Sequence, residues 1–282
     1  MQALDNYINE IKTLPPAPRI LTQLLVLLNE DNIHPDRIVE LIEIDPALTA
    51  KVLQRCNSAD SGCAYTVSDL HEAITRVGFN EIYRMVAMVI GESLLGAEQQ
   101  GYGIGMGELW EHSVTTAVAA RVIGRKLHGP DNLAFTAGLL HDIGKLVLGT
   151  FLEGSQQSVF EKTGPSGLSF LEAEKAILGV EHAEIGGRLL ARWNFPDELV
   201  KAVWHHHDPA QARPHEQLAS YIHLGDLIAH CLGQAQGYES FAVHARAEAL
   251  QILEINPEDM DSLVLETDLA LKQLNGLARA TS

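Results

Sequence analysis

Apolar side chains recur along this chain at intervals of three and four, the spacing that gathers them on one face of an α-helix. Leu4, Tyr7, Ile8 and Ile11 mark out an amphipathic helix over residues 3–13, and the LPPAP run at 14–18 breaks it. A second helix is predicted over 19–29. His34-Pro35 opens a third, with Ile38, Leu41 and Ile42 on one side. Asp45-Pro46 then starts another, a capping carboxylate followed by a proline at the first helical position, with Leu48, Val52 and Leu53 as its buried stripe. Asn57 and Ser58 close that helix. Ser68 or Asp69 caps the next, Gly78 ends it, and a long apolar helix follows over about 81–95.

Five glycines then fall within residues 96–107 (GAEQQGYGIGMG), which no helix tolerates, so this stretch reads as a linker. No strand precedes it and no GK[ST] follows, which argues against a phosphate-cradling loop. Beyond it, helices are predicted over 108–128, 131–142, 144–163, from near Ser169 to Gly179, and over 182–193, 197–206 and 215–233, with an acidic amphipathic helix starting at Asn256. No run alternates with period two between turns. The chain is therefore expected to be all-α: an N-terminal bundle over 1–95, a linker over 96–107 and a second bundle over 108–282.

Composition narrows the function. The 282 residues are 46% hydrophobic and 6% aromatic, enough for a sizeable core. Basic residues number 20 and acidic ones 37, a net charge of −17 that opposes nucleic-acid backbones and anionic lipid. Nucleic acid and membrane are thus not expected as partners. Cys56, Cys63 and Cys231 show no CxxC spacing and read as reduced, buried thiols of a cytoplasmic protein. No stretch has the length of an apolar span, and MQALDNYINE has no signal-peptide pattern.

Of the 13 histidines, only His34 and His71 precede residue 100. His141 and Asp142 stand side by side in LLHDIGK, at the end of an apolar run, where a helix end would let both reach one ion. His112 lies inside a helix with Glu108 one turn before it. His182 opens a helix in VEHAEIG, His206 and His207 close one in AVWHHHDP, and Asp226 sits on the apolar helix YIHLGDLIAH. A carboxylate on an apolar face must be capped, paired or bound to a cation. His128, His215, His230 and His244 read as ordinary surface or core histidines, and His205 as a surface residue. Together the other residues offer imidazoles and carboxylates enough for two cations bridged by one carboxylate, a donor mix that suits iron, manganese, zinc or nickel over magnesium. Such a centre lowers the pKa of bound water and directs it at phosphorus. Lys145, one turn past His141, could offset charge on phosphoryl oxygens.

The order His112, His141-Asp142, His182, His206-His207, Asp226 resembles the HD superfamily of metal-dependent phosphohydrolases, in particular its HD-GYP branch. LPPAP, IEIDPALTAKVLQRCNSA and LHEAITRVGFNEI further resemble HDOD domains, a bacterial signalling family described as modified HD-GYP proteins, with the likeness running over residues 12–233. The resemblance implies a regulatory module working through a protein partner, since most HDOD domains lack the metal ligands. This chain departs from that pattern. It keeps a ligand-type residue at every position, a lysine (Lys145) where HD-GYP proteins have theirs, and Glu108 where a trinuclear variant has an extra glutamate. The resemblance thus implies a divalent transition-metal centre of two ions, iron or manganese before zinc or nickel, with Asp142 as bridge and Asp142 and Lys145 as the catalytic pair if the protein turns over a nucleotide or other phosphate ligand. Where HD-GYP proteins carry their GYP loop, Asp208-Pro209-Ala210-Gln211-Ala212 stands here, which argues against cyclic di-GMP.

Overall fold

The computed structural model describes residues 18–28, 34–57, 67–153, 169–234, 237 and 247–279. The predicted helix over 3–13, most of LPPAP, Cys63 and His244 lie outside the described residues, whereas the helix expected over 144–163 ends at Leu152, where Glu153 leaves the helical conformation with ψ 124°. The fold is all-α. Among the described residues the sole β-type pairing is an isolated bridge between Gln99 and Ile104.

Contacts divide the described residues into two compact units, one within 17–93 together with those from Asp268 on, the other within 94–267. The first contains α1 (Arg19–Leu28), α2 (Pro35–Glu43), α3 (Pro46–Cys56), α4 (Leu70–Val77) and most of α5 (Phe79–Leu95). Its helix starts follow the predicted chemistry. Asp45 accepts hydrogen bonds from the backbone N–H of Ala47 and Leu48, and of the two candidates at the start of α4 it is Asp69 that caps, accepting from Glu72 N–H. Leu21, Leu24, Ile38, Ile42, Val52, Leu70 and Ile82 form its core. Asn57 ties the end of α3 to the start of α4 by exchanging two hydrogen bonds with the Val67 backbone.

The second unit is built around α6 (Glu108–Lys126), buried on nearly every side and therefore rich in small residues. α7 (Asp131–Leu140) and α12 (Glu216–Cys231) pack on it. Both approach closely at a glycine: a Cβ on Gly138 would meet Ala117 Cα at 2.8 Å, and one on Gly225 would meet Thr116 O at 2.8 Å. α8 (Lys145–Leu152), α9 (Phe170–Leu178), α10 (His182–Arg192) and α11 (Asp197–Trp204) surround this pair, and α13 (Ala247–Ile252) and α14 (Met260–Arg279) follow α12. Ser169 and Glu172 close a capping box at the start of α9, and Gly179 ends it, as the sequence predicts. The segment 131–152 is apolar and long enough to cross a membrane by composition, but 83% of its most apolar window is buried inside the fold.

The glycine-rich stretch expected to be a linker falls within the second unit. Gln99 and Ile104 exchange two backbone hydrogen bonds of 3.0 and 3.2 Å, closing a loop whose Tyr102 and Ile104 are buried. The last turns of α14, from Asp268, group with the first unit and not with the second.

Candidate metal centre

Three helices and two turns bring the predicted ligands to one buried place. His112 projects from the interior of α6. His141 follows the last residue of α7, and Asp142 sits in the turn before α8, so the two adjacent side chains flank a helix end. The turn is pressed against the start of α10: a Cβ on Gly144 would lie 2.0 Å from His182 O. His182 is the first residue of α10, His206 and His207 follow α11, and Asp226 lies mid-way along α12.

Each buried imidazole is held by its Nδ1. His112 Nδ1 donates to Gln234 O (2.8 Å), His141 Nδ1 to Gly138 O (2.8 Å) and His206 Nδ1 to Val203 O (2.7 Å). A carbonyl oxygen can only accept, so each of these rings carries a proton on Nδ1 and turns Nε2 inward, where its lone pair is open to a cation once any second proton leaves. His182 Nδ1 donates to the Glu174 carboxylate (2.9 Å), whose same oxygen also accepts from His182 N–H (3.0 Å). This is the outer support that metal-binding histidines characteristically have.

The ligand atoms fall into overlapping groups: in one set His112, His141 and Asp226 lie within 4.8 Å of one another, in a second set His182, His206 and His207 do the same, and a third group of His141, Asp142 and His206 spans the two. Asp142 lies between them. Its Oδ1 is 3.1 Å from His182 Nε2, and its Oδ2 is 3.3 Å from His141 Nε2 and 3.8 Å from His112 Nε2. One carboxylate oxygen therefore faces each set.

Burial and charge are strongly coupled here. Burial opposes the charge of Asp142, yet His141 and Lys145 hold its carboxyl well below the usual range. Asp226 is likewise held low, against burial, by hydrogen bonds from His112 and His230. His182 is pushed up to about 10, because Glu174 and Asp142 outweigh the burial that disfavours its charge; His141 is raised in the same way by Asp142. Burial, followed by the neighbouring imidazoles, drives His206 and His207 well down. A proton on His182 Nε2 faces two acceptors, Asp142 Oδ1 at 3.1 Å and His207 Nε2 at 3.0 Å.

The donor set fits a transition-metal cation. Several imidazole nitrogens converge among buried side chains, and His206 Nε2 is fully buried with no hydrogen-bond partner, an arrangement that a cation satisfies. Lys145 is fully buried and its Nζ lies 2.7 Å from Asp142 Oδ2, so in this structure it faces Asp142.

Not every candidate arrives. Glu108 is exposed and bends back to accept a hydrogen bond from Gly105 N–H (2.9 Å), because it is the first residue of α6 and the unsatisfied backbone there is nearer than His112's partners. His205 stacks on Trp204, centroids 5.9 Å apart, outside both sets. In the other direction, His230 was expected to be an ordinary histidine, yet its Nδ1 is 3.2 Å from Asp226 Oδ1 and its ring packs edge-on against His112. Its signal was the i,i+4 spacing from Asp226. Glu174 was missed too, although it shares an apolar helical face with Ile177 and Leu178, the same feature that singled out Asp226. His223, buried on α12, donates from Nδ1 to His206 O (2.9 Å).

A helical bundle that presents histidines and a central aspartate in this way defines a protein of the HD type. The family model of the HDOD domain matches residues 14–209, and the chain belongs to that family. Among solved structures, a candidate phosphohydrolase of Shewanella amazonensis superposes with a TM-score of 0.71 at 23% identity, covering 98% of each chain. An HDOD domain protein of unknown function from Geobacter sulfurreducens gives 0.69 at 21% identity, covering 99% of this chain and 96% of the other. Among curated proteins, an uncharacterized protein of Treponema pallidum is 24% identical over 82% of this chain and 45% of its own length. Ribonuclease Y of Thermus thermophilus is 29% identical over 66% of this chain and 24% of its own length. The chain spans less than half the length of these curated relatives.

Proposed function

We propose that this protein is a bacterial signal-transduction module that holds two divalent transition-metal ions and acts by contact with a protein partner. The observation that carries the metal reading is the convergence of Nε2 lone pairs, fixed by Nδ1 hydrogen bonds, on either side of Asp142. His112, His141 and Asp226 would hold one ion, His182, His206 and His207 the other, and Asp142 would bridge. The mix of imidazoles and two carboxylates suits a transition metal over magnesium, and the HD-GYP resemblance favours iron or manganese before zinc or nickel.

Burial supports a regulatory role over turnover. Every proposed ligand except His207 is less than 10% exposed, whereas hydrolysis of a nucleotide needs an open coordination position and room for the substrate. The second reading, a metal-dependent phosphohydrolase acting on a nucleotide or other phosphate ligand, draws on the partly exposed His207 and on relatives named ribonuclease and candidate phosphohydrolase. In that reading the cations would supply the activated water, Asp142 would set their spacing, and Lys145 would have to leave Asp142 to reach phosphate. Cyclic di-GMP is disfavoured as substrate by the Asp208–Ala212 sequence.

The two readings separate on turnover. Protein reconstituted with iron or manganese is to be assayed against a generic phosphodiester and a nucleotide panel beside Asp142→Ala. The regulatory reading expects no hydrolysis above that variant. Turnover that disappears in Asp142→Ala would replace it with the enzyme reading.

A further inference from the structure

The glycine-rich stretch reaches the supports of the metal site through one aromatic side chain. Tyr102, only 1% exposed, closes the single turn Gln100–Tyr102, which packs against α8. Its phenol donates to Glu174 Oε1. The other carboxylate oxygen, Glu174 Oε2, takes both hydrogen bonds from His182. The face of the same tyrosine ring lies 5.9 Å from Lys145 Nζ, and Lys145 in turn grips Asp142. One residue of the loop therefore touches the group behind His182 and the group behind Asp142, the two side chains that meet at 3.1 Å in the middle of the site.

We propose that Glu174 and Tyr102 are positioning residues of the metal centre, so that the loop over 96–107 sets how tightly the His182 side holds its ion. The proposal rests on the metal-holding reading above. The physical route is short. A carboxylate accepting from Nδ1–H fixes the ring's tautomer and orientation and makes Nε2 a better donor to metal, an outer-shell effect of about 10–100-fold in affinity. The phenol holds the far oxygen of that carboxylate and stops it turning away. Neither residue touches the cation. Lys145 couples the loop to Asp142 more weakly, because a cation over a ring face constrains direction less than a hydrogen bond does.

The test is a titration of metal-stripped protein with Co²⁺ alone, followed by its visible absorption, which reports affinity and coordination geometry together. Wild type, Glu174→Gln, Tyr102→Phe and the double variant are compared. Glu174→Gln is expected to weaken binding about 10–100-fold and to change the spectrum, and Tyr102→Phe to weaken it by more than about twofold and up to about tenfold. The double variant is expected to bind no more weakly than Glu174→Gln, since the phenol acts through the carboxylate. Wild-type binding that persists unchanged, within about twofold, in both single variants would overturn the proposal, as would strictly additive losses. Should Glu174→Gln not fold, Tyr102→Phe, which removes a single oxygen, decides alone by the same twofold criterion. Absence of Co²⁺ binding by the wild type would instead overturn the metal reading on which this one stands.

Discussion

At the scale of single residues, the site is a contest between burial and pairing. Asp142 and Asp226 lie where burial alone would neutralise them, and they stay charged because imidazoles and Lys145 surround them. The corresponding excess positive charge falls on His182, whose pKa of about 10 stands above the ordinary histidine value near 6.5. A group raised in the folded state contributes stability that is complete below its unfolded pKa and is lost as pH climbs to the folded one. The metal-stripped protein is therefore expected to lose unfolding free energy between about pH 6.5 and 10 on this account, as followed by urea denaturation across that range. Metal must displace the same proton, so its affinity rises with pH in that window and binding releases protons into a weak buffer. An affinity independent of pH between 6.5 and 9 would contradict this placement of the proton.

The converging side chains were legible because each belongs to a chemical type that needs a reason for being where it is. Asp226 on an apolar helix face and His141-Asp142 at a predicted helix end are examples. Glu108 shows the limit of such reasoning. Spacing placed it one turn before His112, but the rotamer was decided by a backbone N–H in the preceding turn that no spacing reveals. Glu174 and His230 were missed for a different reason: they support ligands and do not form part of the histidine series that drew attention.

At the scale of elements, capping residues and glycines placed most helix boundaries to within a residue or two. Asp45 before α3, Asp69 before α4 and Ser169 before α9 each have the short polar side chain that satisfies the first turn. What did not show was packing between elements that are distant in sequence. A glycine-rich composition describes a chain with wide freedom, and the loop over 96–107 uses that freedom to fold tightly, with Gly103 at a φ of 66°. Its burial depends on α8 and α9, which come some 45 to 75 residues later.

The turn between α7 and α8 makes the same point in a testable form. Gly144 has no room for a side chain because the backbone of His182 crosses it, so this glycine sets the distance between the Asp142 turn and the His182 helix. Gly144→Ala is expected to lower stability by about 1–3 kcal/mol through overpacking. It should also weaken metal binding, since the turn must shift away from α10. Chemical denaturation checks the first effect, and a midpoint equal to that of the wild type would show that the contact relaxes at no cost.

At the scale of the whole molecule, the helical class and the family follow from features spread over most of the chain, including the matched residues 14–209. The grouping of helices was harder to see. Sequence reading gave α14 to the second bundle throughout, while contacts divide it near Thr267, because an amphipathic helix records only that it has a buried face and not which neighbour covers it. The net charge of −17 is consistent with the proposed protein partner over a polyanion, and it draws divalent cations toward the molecule.

Whether the second unit holds metal is the point on which the account turns. Elemental analysis of protein purified without a polyhistidine tag, and without added metal or chelator, answers it directly. The account predicts about two equivalents of transition metal per chain, iron or manganese foremost, falling sharply in Asp142→Ala as the shared bridge is lost. Less than about a tenth of an equivalent in the wild type would contradict it, and would leave the converging histidines as a hydrogen-bonded core.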